Sequence, residues 1–172
     1  MTTYIALLRA INVGGTGLLP MKDLSAMCEK LGCRDVRTYI QSGNVVFTSS
    51  LSEEAVRKRL EEALAAKMGK PIDVMIRTQE ELRTILSRNP FQNEDPGKVV
   101  VGFLSAAPPK DLMKKVVAPG GEQVKPGKRE VYVYYPNGQG RSKLKLPLEG
   151  AAVTARNIRT AAALLAMAEQ TS

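Results

Sequence analysis

Hydrophobic and polar positions along this chain switch between two periods, and each switch marks an element. Residues 3–9 are apolar on both faces, which predicts a strand. In "PMKDLSAMCEKLG" the apolar positions Met21, Leu24, Cys28 and Leu31 fall at helical spacing, with Pro20 at the start and Gly32 at the end. "DVRTYIQ" alternates Val36, Thr38 and Ile40 against Arg37, Tyr39 and Gln41, a strand pattern. "SGN" is a turn signal and "VVFT" the returning strand, so the pair predicts a hairpin. Ser52 caps a helix over "EEAVRKRLEEALAAKMG", with Glu53 and Glu54 in the first turn, where negative charge suits the helix dipole. "IDVMIR" closes the set as a strand. The order strand, helix, strand, strand, helix, strand is the ferredoxin-like plan.

"TQEELRTILSRNPF" predicts a linking helix, capped by Thr78 and ended by Pro90, and "FQNEDPGK" a polar loop. "VVVGFLS" reads as a strand, "PPKDLMKKVVA" as a short helix, and "EQVKPGKREVYVYYPNG" as two strands around a Pro-Gly turn. "RSKLKLPLEG" reads as one helical turn. "TARNIRTAAALLAMAEQ" reads as a last helix capped by Thr154, with Arg156 and Asn157 in its first turn. The fold class is therefore α+β: a ferredoxin-like half over 1–77 with helices on one face of an antiparallel sheet, a linking helix and loop over 78–97, and a second, smaller α+β half with a C-terminal helix over 98–172. The second half echoes the first without evident sequence identity, so an internal duplication stays open.

Composition changes this picture in three ways. The 172 residues contain no histidine, which excludes a Ser-His-Asp triad, His-liganded zinc and a histidine general base. The two cysteines, Cys28 and Cys33, follow no metal or redox spacing and read as free thiols of a reducing compartment. No apolar window approaches the roughly eighteen residues of a membrane span, and the N-terminus lacks a signal-peptide pattern, so a cytoplasmic protein is expected. Net charge is +8, and residues 110–159 carry 11 basic against 4 acidic residues. That excess favours anionic partners; a merely solubilising surface is the plain alternative.

Candidate chemistry collects in three places. In the ferredoxin-like plan the loop after the first strand and the hairpin turn share one end of the sheet. Arg9, Asn12, Gly14 and Gly15 are thus expected near Gln41, Ser42, Gly43 and Asn44, beside the positive end of the first helix and Lys22. Backbone N–H groups, a helix start, an arginine and two amides are the parts of an anion cradle. "NVGGTG" is neither a P-loop nor a dinucleotide fingerprint. The plain readings are that the glycines only turn the chain, that "QSGN" is an ordinary hairpin turn, and that Arg9 caps a helix or pairs with Asp23. The second place is Arg156 and Asn157, where a cation at a helix start makes sense if something negative docks there; an ordinary ion pair is the alternative. The third is the glycine-flanked "GQGRSKLK", with Arg141, Ser142, Lys143 and Lys145, or else a solvated basic loop. The adjacency of Ser142 and Lys143 argues against a catalytic dyad.

"YIALLRAINVGG", "VRTYIQSGNVVF", "GRSKL" and "TARN" together resemble, in order, the signature segments of the bacterial domain-of-unknown-function 1697 family. The resemblance spans about residues 3–168. It implies a two-part α+β protein with ferredoxin-like halves and places the family's characteristic positions on Arg9, Asn12, Gly14, Gly15, Gln41, Ser42, Gly43, Asn44, Ser142, Lys143, Arg156 and Asn157. Ala10, Ile158 and Arg159 depart from the family pattern, which carries glycine, tryptophan and asparagine there. The stretch between "SKL" and "TARN" is shorter than usual.

The expected function is binding of a phosphorylated or other anionic small molecule in a basic cleft between the halves. Single-stranded nucleic-acid binding is the alternative, although only 5 % of residues are aromatic, few for base stacking. An enzyme working through Lys, Tyr or Cys, or a module that dimerises through a sheet edge, are further alternatives. The sequence designates no cofactor, no metal and no oligomeric state.

Overall fold

The apolar strands dictate two sheets, each with its own core. The computed structural model describes residues 1–9, 19–39 and 43–171. The chain forms two units, the first Met1–Arg83 with Ala163–Ser172, the second Thr84–Ala162.

The first unit runs β1 (Thr2–Leu8), α1 (Met21–Lys30), β2 (Arg34–Thr38), β3 (Asn44–Ser49), α2 (Glu53–Met68), β4 (Val74–Thr78) and the start of α3 (Gln79–Ser87). Its antiparallel sheet has the order β2-β3-β1-β4, the ferredoxin-like arrangement. Ser52 caps α2, its hydroxyl accepting from Ala55 N at 3.2 Å. Thr78 and Glu81 cap α3 reciprocally, Glu81 N to Thr78 Oγ1 at 3.1 Å and Thr78 N to Glu81 Oε1 at 2.9 Å. One face of the sheet, with Tyr4, Ala6, Leu8, Val45, Phe47, Val74 and Ile76, packs on Leu24 and Cys28 of α1 and Val56, Leu60 and Leu64 of α2. On the other face Ile5, Leu7, Val46, Met75 and Arg77 are also buried, none above 3 % exposure. Strands covered on both sides need near-continuous apolar runs, which is why "YIALL" and "VVF" do not alternate.

The second unit contains a 3-10 turn (Pro96–Lys98), β5 (Val99–Leu104), α4 (Leu112–Lys115), β6 (Gln123–Pro126), β7 (Glu130–Tyr134), a 3-10 turn (Gln139–Arg141), β8 (Val153–Asn157) and the start of α5 (Ile158–Thr171). Its sheet order, β6-β7-β5-β8, repeats that of the first unit. No helix links β7 to β8. The extended segment there turns Leu144, Leu146 and Leu148 onto the core, against Val100, Val124, Val133, Leu104 and Leu112. A bridge pairs Val117 with Lys145. The single helical turn expected in "RSKLKLPLEG" is limited to Gln139–Arg141, just ahead of most of that stretch; the Leu-Lys alternation makes the rest extended.

Matching bonds show how far the repeat extends. Leu8 N donates to Gly43 O at 2.9 Å, and Leu104 N to Arg129 O at 2.9 Å. Arg9 N donates to Asp73 O at 3.0 Å, and Ser105 N to Ala152 O at 2.9 Å. Each fourth strand carries a buried arginine whose Nη1 donates to the preceding carbonyl, Arg77 to Ile76 O at 2.8 Å and Arg156 to Ala155 O at 3.0 Å. Two features differ from the sequence expectation. "TARN" is strand rather than helix start. The C-terminal helix, expected to lie wholly in the second half, ends in the first unit, where Arg37 Nη2 donates to Met167 O.

Candidate functional site

The bond from Leu8 N to Gly43 O places the end of β1 beside the hairpin turn, as the ferredoxin-like plan requires. Arg9 stands at that end, about half exposed, with Nη1 3.2 Å from Asp73 Oδ2. Its ion pair is thus with Asp73; Asp23 pairs with Lys67 at 3.4 Å. Asn44 is fully buried, and its Nδ2 donates to Tyr39 O at 2.9 Å, closing the hairpin. Asn12, Gly14, Gly15, Gln41 and Ser42 lie outside the described residues.

Arg156 is 8 % exposed on β8, opposite Val101 of β5. Its Nη1 donates to Thr154 Oγ1 at 2.7 Å, and burial pushes its guanidinium down to about 10, still protonated at neutral pH. Thr154 and Arg156 alternate with Ala155 along the strand, so both turn into the same buried face. Asn157, not Thr154, caps α5: its Oδ1 accepts from Arg159 N at 2.8 Å while its Nδ2 donates to Pro96 O at 3.0 Å.

Ser142 and Lys143 line a pocket of about 210 Å³ in the second unit, together with Arg141, Glu122 and Asn137. Pro119 and Gly120 complete the lining. The antiparallel pairing of Val117 with Lys145 brings residues 119–120 alongside 142–143. Glu122 is held at both oxygens: Oε1 accepts from Gly120 N at 2.9 Å and Oε2 from the Ser142 hydroxyl at 3.1 Å. Ser142 Oγ also accepts from Leu144 N at 3.1 Å, which fixes its rotamer. Asn137 Nδ2 donates to Gly120 O at 3.1 Å. Together with burial, the Glu122 charge pushes the Tyr135 hydroxyl above its ordinary range. Arg141, Lys143 and Lys145 are exposed, while Leu144 and Leu146 between and beyond them pack inward.

The arrangement offers two exposed cations, an anchored carboxylate, an amide and a hydroxyl in one concavity. Sequence reasoning reached Arg141, Ser142 and Lys143 but missed Gly120, Glu122 and Asn137. Glu122 is 20 residues from Ser142 and belongs to no motif; only the strand pairing joins them. Among the described residues no three His, Cys, Asp or Glu side chains come together as a metal site. No helix among them is long and apolar enough to cross a membrane.

A family model described as "Protein of unknown function (DUF1697)" matches residues 1–132. The chain belongs to the DUF1697 family. The matched stretch ends before the pocket's Arg141–Lys143 segment and before "TARN", so the family match covers "NVGG" and "QSGN" but not these. The solved structure of the conserved bacterial protein SP0830 from Streptococcus pneumoniae has the same fold: TM-score 0.80, 24 % identity, 97 % of this chain and 98 % of that one covered. No curated protein matches the chain.

Proposed function

We propose that this DUF1697 protein binds a small phosphorylated or otherwise anionic ligand, and that the pocket around Arg141, Ser142 and Lys143 takes it. The observation that carries the reading is the gathering of two cations and three polar groups in a concavity of about 210 Å³. At the small end of ligand sites, where drug-sized pockets run from about 300 Å³ upward, that volume suits a metabolite. Arg9, half exposed at the end of β1 in the first unit, is a further cation available to an anion, just before the Gly14-Gly15 pair in sequence. The buried thiols Cys28 and Cys33 are free and fit a reducing, cytoplasmic setting.

A thermal-shift screen of nucleotides and sugar phosphates tests the reading. A ligand present at 100 times its Kd stabilises by about 2.7 kcal/mol. The double variant Arg141→Ala/Lys143→Ala is expected to lose that protection. Protection that survives the double variant but disappears in Arg9→Ala moves the site to the first unit. Protection that survives both refutes it.

Single-stranded nucleic acid is the second reading, favoured by the exposed cations Arg141, at the end of a 3-10 turn, and Lys143 and Lys145 on the extended segment after it. Against it, the first unit's sheet is buried on both faces and offers no open platform for stacking bases. Three phosphate contacts predict a slope of about −2 in log K against log salt; a flat dependence excludes this reading.

A further inference from the structure

We infer that the ligand of this pocket is a phosphorylated sugar or polyol rather than a bare anion, an inference that rests on the anion-binding reading above and narrows it. A carboxylate in a site for anions repels them unless the ligand brings hydrogen-bond donors to it. Each Glu122 oxygen already accepts one protein hydrogen bond, from Gly120 N at 2.9 Å and from Ser142 Oγ at 3.1 Å. These bonds lock the carboxylate without exhausting it, since an ionised carboxyl has about four acceptor positions. What remains on both oxygens can take only donors, and an alcohol is the donor a small phosphate ester carries.

Arg141 and Lys143 supply the opposite chemistry, donors with positive charge and no acceptor, which suits the phosphoryl oxygens. The lining therefore offers two chemistries, cations for a phosphoryl group and a carboxylate for hydroxyls. Inorganic phosphate satisfies only the first and meets Glu122 as repulsion. A sugar phosphate satisfies both. The volume, about 210 Å³, is enough for one such unit.

The test compares ribose 5-phosphate with inorganic phosphate by calorimetric titration into the full chain, its Glu122→Gln variant and Arg141→Ala/Lys143→Ala. The expected result is ribose 5-phosphate tighter by about tenfold or more, the worth of a hydrogen bond to a charged group. Glu122→Gln then narrows that gap by weakening the ester and strengthening inorganic phosphate. Circular dichroism shows whether the variant is folded, and Ser142→Ala repeats the test by loosening the carboxylate without removing it. Equal affinity for both probes, unchanged in Glu122→Gln, overturns the sugar-phosphate inference and leaves the anion-binding reading intact. No binding of either probe, or binding that survives Arg141→Ala/Lys143→Ala, overturns both.

Discussion

Gly102 sits at the centre of the second unit's sheet, opposite Val131 on one side and Ala155 on the other. A Cβ added there would lie 2.9 Å from Val131 Cγ2 and 3.1 Å from Val153 Cγ2. Both neighbours are β-branched and stiff at χ1, and Val131, the nearer, is 1 % exposed and has no room to swing aside. Two effects oppose each other in Gly102→Ala. Leaving glycine in a strand costs about 0.5–1 kcal/mol relative to alanine, and the substitution recovers that. Overpacking a filled core costs about 1–3 kcal/mol. The steric cost wins, for a net loss of about 1 kcal/mol and a Tm lower by about 2–4 °C in a chain of this size. Gly140 is the control: an added Cβ there meets nothing within 4 Å, so Gly140→Ala is expected to be neutral or to gain about 0.4–1 kcal/mol. Thermal and urea unfolding followed by far-UV circular dichroism reads both variants, the chain having no tryptophan for fluorescence. Gly102→Ala as stable as the parent, or both variants moving together, would refute the packing argument.

Burial, then the neighbouring Cys33 and Glu29, push the Cys28 thiol up to about 12 from 9.0, so native Cys28 should react with a maleimide about a thousandfold more slowly at pH 8 than in urea; rapid native labelling contradicts its place in the core. The sign of the accompanying pH effect follows: the unfolded chain releases this proton near pH 9 and the folded chain only near 12, so the contribution is complete below pH 9 and fades above it, as urea midpoints from pH 8 to 11 should show. Ser52→Ala removes the cap of α2 and should cost about 1 kcal/mol in urea unfolding; no loss would mean the cap is idle. Tyr132→Phe removes the hydroxyl that donates to Ile85 O at 2.7 Å inside the second unit, and should cost about 1 kcal/mol in the same assay, no loss meaning that the bond is not formed.

The ferredoxin-like plan was legible because local signals agree with it: Ser52 before two glutamates, Pro20 and Gly32 bracketing a helical stripe, and a turn signal between an alternating strand and an apolar one. "TARN" misled because Thr154 and Arg156 are polar yet face inward, and polar residues before an Ala-rich run look like a helix start. The segment after Gly138 misled for the opposite reason. Its Leu-Lys alternation is a strand signal, but it follows a glycine-rich turn, so it reads as a turn of helix; in the structure it bridges at Lys145 instead. The end of α5 meets the first unit through contacts such as Arg37 donating to Met167 O, 130 residues away, which no local pattern encodes. The candidate site divides the same way. Arg141, Ser142 and Lys143 are contiguous and visible; Glu122 enters only through the tertiary pairing of residues 117 and 145.

The central claim is that the Arg141–Lys143 pocket holds a phosphate ester. Isothermal titration of ribose 5-phosphate into the parent chain and into Arg141→Ala/Lys143→Ala tests it most directly. A saturable, one-site isotherm in the parent that is lost in the double variant is the predicted result; the same isotherm in both proteins would contradict it.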